Sequence, residues 1–180
     1  KPQATHEAID AEGWFHTGDI GMIDADGFLR ITDRKKDIIV TAGGKNIAPQ
    51  PIENRVKTNK FILNAVMIGD KRKFPVMLVV PNLESLREWA VAQNLTSMDD
   101  AALIASREAT EKIEREVKKT LRDLAQFEVP KKVLLIQRDF SIDTGELTPT
   151  LKVKRRVVEK NYFAQIEAVY AEPKGGGHDV

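Results

Sequence analysis

The residues with the most chemical content lie in Asp33–Glu53, DRKKDIIVTAGGKNIAPQPIE. A basic link of Arg34, Lys35 and Lys36 leads into a short apolar strand over Asp37–Thr41. Gly43-Gly44, Lys45 and Asn46 follow, then an Ala48-Pro49 step into a helix that carries Glu53. Glycine lacks a Cβ, so at Gly43 and Gly44 a substrate can approach the main chain closely, or the chain can take φ > 0. The plainer alternative is a strand–loop–helix connection with proline in the first helical turn. A phosphate-binding P-loop is excluded, because Ile39 stands where its first glycine belongs and Asn46 where it needs Ser or Thr. A second cationic group, Lys152, Lys154, Arg155, Arg156 and Lys160, opens the last helical stretch; on its own it reads as a solvated face. Lys152 sits in a loop of Thr148, Pro149 and Thr150, and taken alone is a surface lysine. There is no Ser or Cys nucleophile triad, and His6, His16 and His178 lack ligand spacing. The run Asp24–Gly27 lacks the third carboxylate and terminal Glu of a calcium loop.

Short elements must position these groups. Ile20–Ile23 and Phe28–Thr32 flank Asp24-Ala25-Asp26-Gly27, and Asp-Gly between apolar runs predicts a hairpin through a type I′ turn. Pro49–Thr58 reads as a helix with Ile52 and Val56 on one face. Phe61–Gly69 and Val76–Val80 are β-type runs joined by the basic turn Asp70–Pro75. Leu83–Gln93 has Leu83, Leu86, Trp89 and Ala90 at helical spacing, and Ser97-Met98-Asp99-Asp100 resembles a capping box opening another helix. Ala109–Leu124 is amphipathic, with Ile113, Val117, Leu121 and Leu124 on one stripe. Val129-Pro130 stops it, and Val133–Gln137 is a short buried strand. One last helix is expected to turn Val157, Val158, Phe163 and Ile166 inward. Residues 1–12 read as a surface segment and 173–180 as a flexible tail.

The chain has 180 residues, 42% hydrophobic and 31% charged, which suits a soluble globular domain. A net charge of +1 provides no overall pull toward nucleic acid or anionic membrane. No apolar run approaches the ~20 residues of a membrane span, and no signal-peptide pattern is read. With no cysteine, disulfides and thiolate metal sites are excluded, and the compartment is expected to be cytoplasmic.

Three separated segments, in order, resemble one family. Gly13-Trp14-Phe15-His16-Thr17-Gly18-Asp19 is similar to the GWxxTGD motif of adenylate-forming enzymes, which include acyl-CoA synthetases. Asp33-Arg34-Lys35-Lys36 with Gly44 and Glu53 resembles that family's hinge and glycine-loop motif. Leu147–Arg155 resembles its carboxy-terminal lysine motif, in a Thr-Leu-Lys form that is similar to the long-chain fatty acid–CoA ligases rather than the commoner Ser-Gly-Lys.

The resemblance implies a fold and roles. The fold would be α+β, a small mixed or antiparallel sheet flanked by helices, preceded by a hairpin from the end of a large amino-terminal domain. Residues 1–35 would end that domain, 36–172 would form a mobile carboxy-terminal domain, and 173–180 the tail. Asp19 and Arg34 would bind the nucleotide ribose, Lys152 would be catalytic at the α-phosphate, and Lys36 would be the pivot. Gly43, Gly44, Lys45 and Asn46 would form the face that CoA passes. ATP and CoA would be used with Mg2+ held mainly outside this chain, and a fatty acid would be the other substrate. The partner would be the enzyme's own amino-terminal domain. No nucleic-acid partner is implied, peripheral membrane association stays open, and the chain alone would be inactive. Two alternatives stand beside this: another adenylate-forming subfamily, or a stand-alone interaction module that keeps the shape without the chemistry.

Overall fold

A computed structural model describes residues 2–95 and 98–171. A short helix α1 (Pro2–Ala8) precedes the antiparallel hairpin of β1 (Asp19–Ile23) and β2 (Leu29–Arg34). A small ladder of β3 (Ile39–Val40) and β4 (Asn46–Ile47) carries the glycine loop and runs into α2 (Pro49–Val56). The main sheet is mixed: β5 (Ile62–Ile68) pairs antiparallel with β6 (Val76–Pro81), and β6 pairs parallel with β7 (Lys132–Leu135). The crossover from β6 to β7 holds α3 (Leu83–Ala92), α4 (Asp100–Ala105) and α5 (Arg107–Thr120). After β7 come α6 (Arg155–Asn161) and α7 (Phe163–Ala171).

Strand side chains alternate between two cores, because successive Cβ atoms point to opposite faces. Ala65, Met67, Met77 and Val79 pack under α2–α5 with Ile52, Val56, Leu86, Ile113, Val117 and Leu121. Val66, Ile68, Val76, Leu78 and Val80 face α6 and α7 with Val158, Tyr162 and Ile166. A sheet covered on both faces reads as continuous apolar runs, which is what the sequence shows there. The expected α+β class, a small mixed sheet flanked by helices, is the observed one.

Several local expectations need correction. The last helix is two helices parted at Tyr162. Buried Val158, Tyr162 and Ile166 follow a spacing of four, which leaves Phe163, expected to face inward, 54% exposed. The long amphipathic helix starts at Arg107 rather than Ala109, since Ser106 caps it by accepting from the Ala109 N–H at 3.1 Å. It ends at Thr120, with Leu121 still buried and Leu124 packed against the core. In the proposed capping box Ser97 lies outside the described residues; Asp99 is the cap of α4, accepting from Ala102 N at 2.8 Å. The tail 173–180 also lies outside them. The first hairpin closes through a three-residue loop rather than a type I′ turn, with Asp24 N donating to Phe28 O and Gly27 N to Asp24 O, each at 3.0 Å. Among the described residues no helix is long and apolar enough to cross a membrane.

Candidate active site

At the base of the first hairpin Asp19 and Arg34 are register partners, and Arg34 Nε lies 3.0 Å from Asp19 Oδ1. Both side chains are partly open to solvent, so a hydroxyl-bearing ligand can reach the carboxylate and the guanidinium together. Beyond Arg34 the chain turns tightly: Asp37 N and Ile38 N donate to Arg34 O at 2.9 and 3.2 Å, with Lys36 exposed on the turn. Asp33, which sequence reasoning passed over, spans this turn. Its carboxylate is buried, accepting from Arg34 N at 2.7 Å and from Gln50 N at 3.2 Å in the first turn of α2. The N-cap position, Ala48, has no side-chain oxygen of its own, so Asp33 serves one orphan N–H group, that of Gln50, and the positive end of the helix. The Asp33–Gln50 bond ties the end of the hairpin to the first turn of α2.

The glycine loop and the Lys152 loop are built on one plan. Gly44 N donates to Thr41 O at 2.9 Å, Lys45 N to Thr41 Oγ1 at 3.1 Å, and Thr41 N to Lys45 O at 3.0 Å. Leu151 N donates to Thr148 O at 2.9 Å, Lys152 N to Thr148 Oγ1 at 3.0 Å, and Thr148 N to Lys152 O at 2.8 Å. The same pattern closes Asp24–Phe28 and Asp10–Trp14, with a carboxylate in place of the threonine hydroxyl. Each is a three-residue hairpin loop, a type I turn followed by a residue in the left-handed region. That residue is Gly13, Gly27, Gly44 or Leu151, with φ of 89°, 86°, 73° and 59°. For an L-residue such as leucine the region costs about 1–2 kcal/mol. Pro149 suits the Lys152 turn, since its fixed φ fits the first central position of a type I turn.

Ion pairs to buried carboxylates clamp both feet of the Lys152 hairpin. Upstream, Glu146 is fully buried, accepting from Arg138 Nη1 and Nη2 at 2.8 Å each, from Thr144 Oγ1 at 2.7 Å and from Asn161 Nδ2 at 3.0 Å. Its carbonyl also accepts from Lys154 N at 2.7 Å. Downstream, Arg155 at the start of α6 reaches buried Glu53 of α2 and the Met67 carbonyl of β5. Glu53 in turn accepts from Met67 N at 2.7 Å. Lys152 stands exposed between these anchors.

Glu146 makes the loop acid-sensitive. Burial alone would raise its pKa, but the bonds from Arg138, Thr144 and Asn161 and the guanidinium charge outweigh it, lowering the pKa from 4.5 to about 2. A depressed carboxylate contributes stability that is complete above its unfolded pKa and lost as pH falls through the folded one. The window is therefore pH 4.5 down to about 2. Glu146→Gln is expected to lower the melting temperature at pH 7 and to flatten its dependence on pH across that window. A variant melting as the parent does at both ends would show that Glu146 is no anchor.

Beside the glycine loop is a cavity of about 340 Å3 whose lining includes Lys45, Lys73 and Lys131 with Phe127, Phe74 and Gln126, and no carboxylate. Lys45 Nζ lies 5.5 Å from the centroid of the Phe127 ring, which is 38% exposed. Three ammonium groups and an open aromatic face suit a phosphorylated, ring-bearing ligand. The glycine loop is set against this cavity by backbone bonds from Ala42 N to Arg72 O at 2.8 Å and from Lys71 N to Val40 O at 2.7 Å. Ile39 and Ile47 fix its ladder in the core. Lys36 lines a different cavity with Lys154, Arg155 and Arg156. The structure thus brings Asp19 to Arg34, and Gly43 and Lys45 to the lysine cradle. Among the described residues, neither the cavity beside the glycine loop nor the one lined by Lys36 gathers Asp19, Gly44 and Lys152 into one site. Among the described residues no group of three or more His, Cys, Asp or Glu converges as a metal site.

Comparison with known proteins agrees with these motifs. Residues 36–174 match the family described as AMP-binding enzyme C-terminal domain. The long-chain-fatty-acid–CoA ligase FadD15 of Mycobacterium tuberculosis is 41% identical over 169 residues, covering 93% of this chain and 28% of the relative. The human long-chain-fatty-acid–CoA ligase ACSBG1 is 40% identical over 189 residues, covering 94% of this chain and 26% of its own length. The chain therefore spans about a quarter of the length of the curated relatives it matches. Among solved structures, the adenylation domain of a carboxylate reductase from Mycobacterium chelonae superposes with a TM-score of 0.78 at 22% identity, over 95% of this chain and 25% of that one, a likeness of fold. The Mycobacterium tuberculosis fatty acyl CoA synthetase matches at 29% identity with a TM-score of 0.51, over 91% of this chain and 27% of that one. With its glycine loop, its lysine hairpin and the sheet that carries them all inside the matched stretch, the chain belongs to the AMP-binding enzyme C-terminal domain family.

Proposed function

We propose that this chain is the carboxy-terminal part of an AMP-forming long-chain fatty acid–CoA ligase, with residues 1–35 ending the amino-terminal domain and a pivot at Lys36. The reaction runs in two halves. A fatty carboxylate oxygen attacks the α-phosphorus of ATP and releases pyrophosphate, giving acyl-adenylate. The CoA thiol then attacks the acyl carbon, loses its proton, and releases AMP. Asp19 accepts from the ribose hydroxyls, having two oxygens for two donors, and Arg34 adds donors beside it. Lys152 meets the charge that develops at the α-phosphate, where positioning and charge stabilisation do most of the work. Gly43, Gly44, Lys45 and Asn46 line the path of the pantetheine arm, and Lys45, Lys73 and Lys131 with Phe127 hold the phosphorylated nucleotide end of CoA. Mg2+ would be held mainly outside this chain, where it would offset the charge of the ATP phosphates.

The observation that carries this reading is the separation of the two lysine loops. Two half-reactions need two different groups at the same acyl-phosphate centre. This domain offers Lys152 and Gly44 on separate exposed loops, joined to the nucleotide-contacting hairpin by one tight turn. The hairpin and the turn before it support a large partner: Trp14, Ile23, Phe28 and Leu29 are 70%, 72%, 70% and 68% exposed. Apolar area of that kind is expected to be covered, here by the amino-terminal part of the ligase.

The test is turnover by the full-length ligase carrying this chain, with palmitate, ATP and CoA. Palmitoyl-CoA and pyrophosphate should form, and the 180-residue chain alone, the control, should release none. Lys73→Ala combined with Lys131→Ala should raise the KM for CoA about tenfold or more, as loss of charge-assisted bonds to phosphate does. Acyl-adenylate formation without CoA should be unchanged. No ligase activity would sink the reading; an unchanged KM would remove the cradle from it.

A further inference from the structure

The four turns of common plan do not all carry the same residue at the left-handed position. Three of them place glycine in the left-handed region, and the fourth places Leu151 there, at φ 59°. Among the described residues the other non-glycine positions with positive φ are Lys71 and Asn94, and asparagine tolerates this region. Leu151 is also 69% exposed, so its side chain adds nothing to the core. The strain is held in place by the bonds through Thr148 and by the Leu147–Val153 bridge. Neither the turn, which glycine closes better, nor the packing accounts for a leucine beside Lys152. Strain retained in an over-determined loop next to a functional group is where a function for the strained residue is sought.

We propose that Leu151 is a positioning residue for Lys152: its side chain seats on an apolar wall of the ligase's amino-terminal part when the hairpin closes, fixing where the ammonium lands. The inference rests on the role proposed above for Lys152. A lysine is a strongly hydrated point charge on a flexible stem, and by itself has little to fix its direction. An adjacent apolar group that leaves water only on closure gives the closed arrangement its own driving force. Its partner is the same one that the exposed Trp14 and Phe28 await, in relatives of which this chain spans 28%.

Leu151→Gly and Leu151→Met separate the side chain from the backbone, tested in the full-length ligase with Lys152→Ala alongside. Glycine relieves the strain and removes the anchor; methionine keeps both the strain and the apolar reach. Leu151→Gly is expected to melt a few degrees higher yet to form acyl-adenylate about tenfold more slowly, the change that about 1.4 kcal/mol of lost closing energy produces. The loss should fall on kcat and spare the KM for ATP, because closure follows nucleotide binding. Leu151→Met should stay within about twofold of the parent, as a swap of similar volume does. Attack of CoA on supplied acyl-adenylate should be unaffected by either. A glycine variant as fast as the parent, or a methionine variant as slow as the glycine one, overturns the inference. If Lys152→Ala is also fast, the role of Lys152 has failed and the inference with it; if Lys152→Ala is slow, only the anchor has failed.

Discussion

Lys152→Ala in the full-length ligase is expected to slow acyl-adenylate formation by about two to three decades, the range in which one preorganised charge group at a transition state counts. Attack of CoA on supplied acyl-adenylate should proceed at the parental rate. The asymmetry follows from placement. Lys152 stands on a hairpin rooted on Glu146 and Arg155, a different loop from the glycine loop that the proposed second step uses. Alanine keeps the turn itself, because the bonds to Thr148 come from the Lys152 backbone. The melting temperature should therefore hold, which separates a lost charge from a lost loop. Lys154→Ala is the matching control: it is also exposed, its backbone N–H still reaches Glu146 O, and its effect should be small. Equal losses in both half-reactions would show that Lys152 is not confined to the first.

Much of this arrangement was legible in the residues. The two-faced sheet was written in the apolar runs Ile62–Ile68 and Val76–Pro81, and the flanking helices in the stripes of Ile52, Val56, Ile113 and Val117. What the sequence concealed depends on contacts between distant segments. Nothing in the spacing says that Asp33 caps a helix 17 residues on, or that Glu53 and Arg155, 102 apart, share one buried bond network. The lysine cradle joins Lys45, Lys73 and Lys131 from three connections, each an ordinary surface residue in one dimension. The split of the last helix was missed because Phe163 looks more apolar than Tyr162, yet the spacing from Val158 to Ile166 selects the tyrosine. The common turn was partly readable: Asp or Thr followed three residues later by glycine occurs at Asp10, Asp24 and Thr41. The fourth copy was hidden, because leucine in place of glycine conceals the conformation that the three bonds reveal.

Gly44→Leu is expected to abolish most CoA transfer, by about two decades or more, while leaving acyl-adenylate formation intact. Glycine at Gly44 has two explanations, the left-handed turn at φ 73° and room for a ligand, and the molecule contains the control that separates them. Leu151 occupies the equivalent position of an identically bonded turn, so a leucine can be held there at a cost of about 1–2 kcal/mol. A Cβ built on Gly44 meets no atom within 4 Å, so the first atom of an added side chain has open space around it. Together these give a domain that folds, with a melting temperature lower by roughly 2–8 °C at 2–4 °C per kcal/mol for a chain of this size. Anything the leucine obstructs must then come from outside, and the pantetheine arm is the proposed visitor. Gly44→Ala carries much of the same backbone cost with far less bulk, and should retain a substantial part of the transfer rate. If alanine and leucine were equally slow, backbone strain would be the cause. If leucine unfolded the domain or slowed both half-reactions together, Gly44 would be a turn residue and the path of CoA would lie elsewhere.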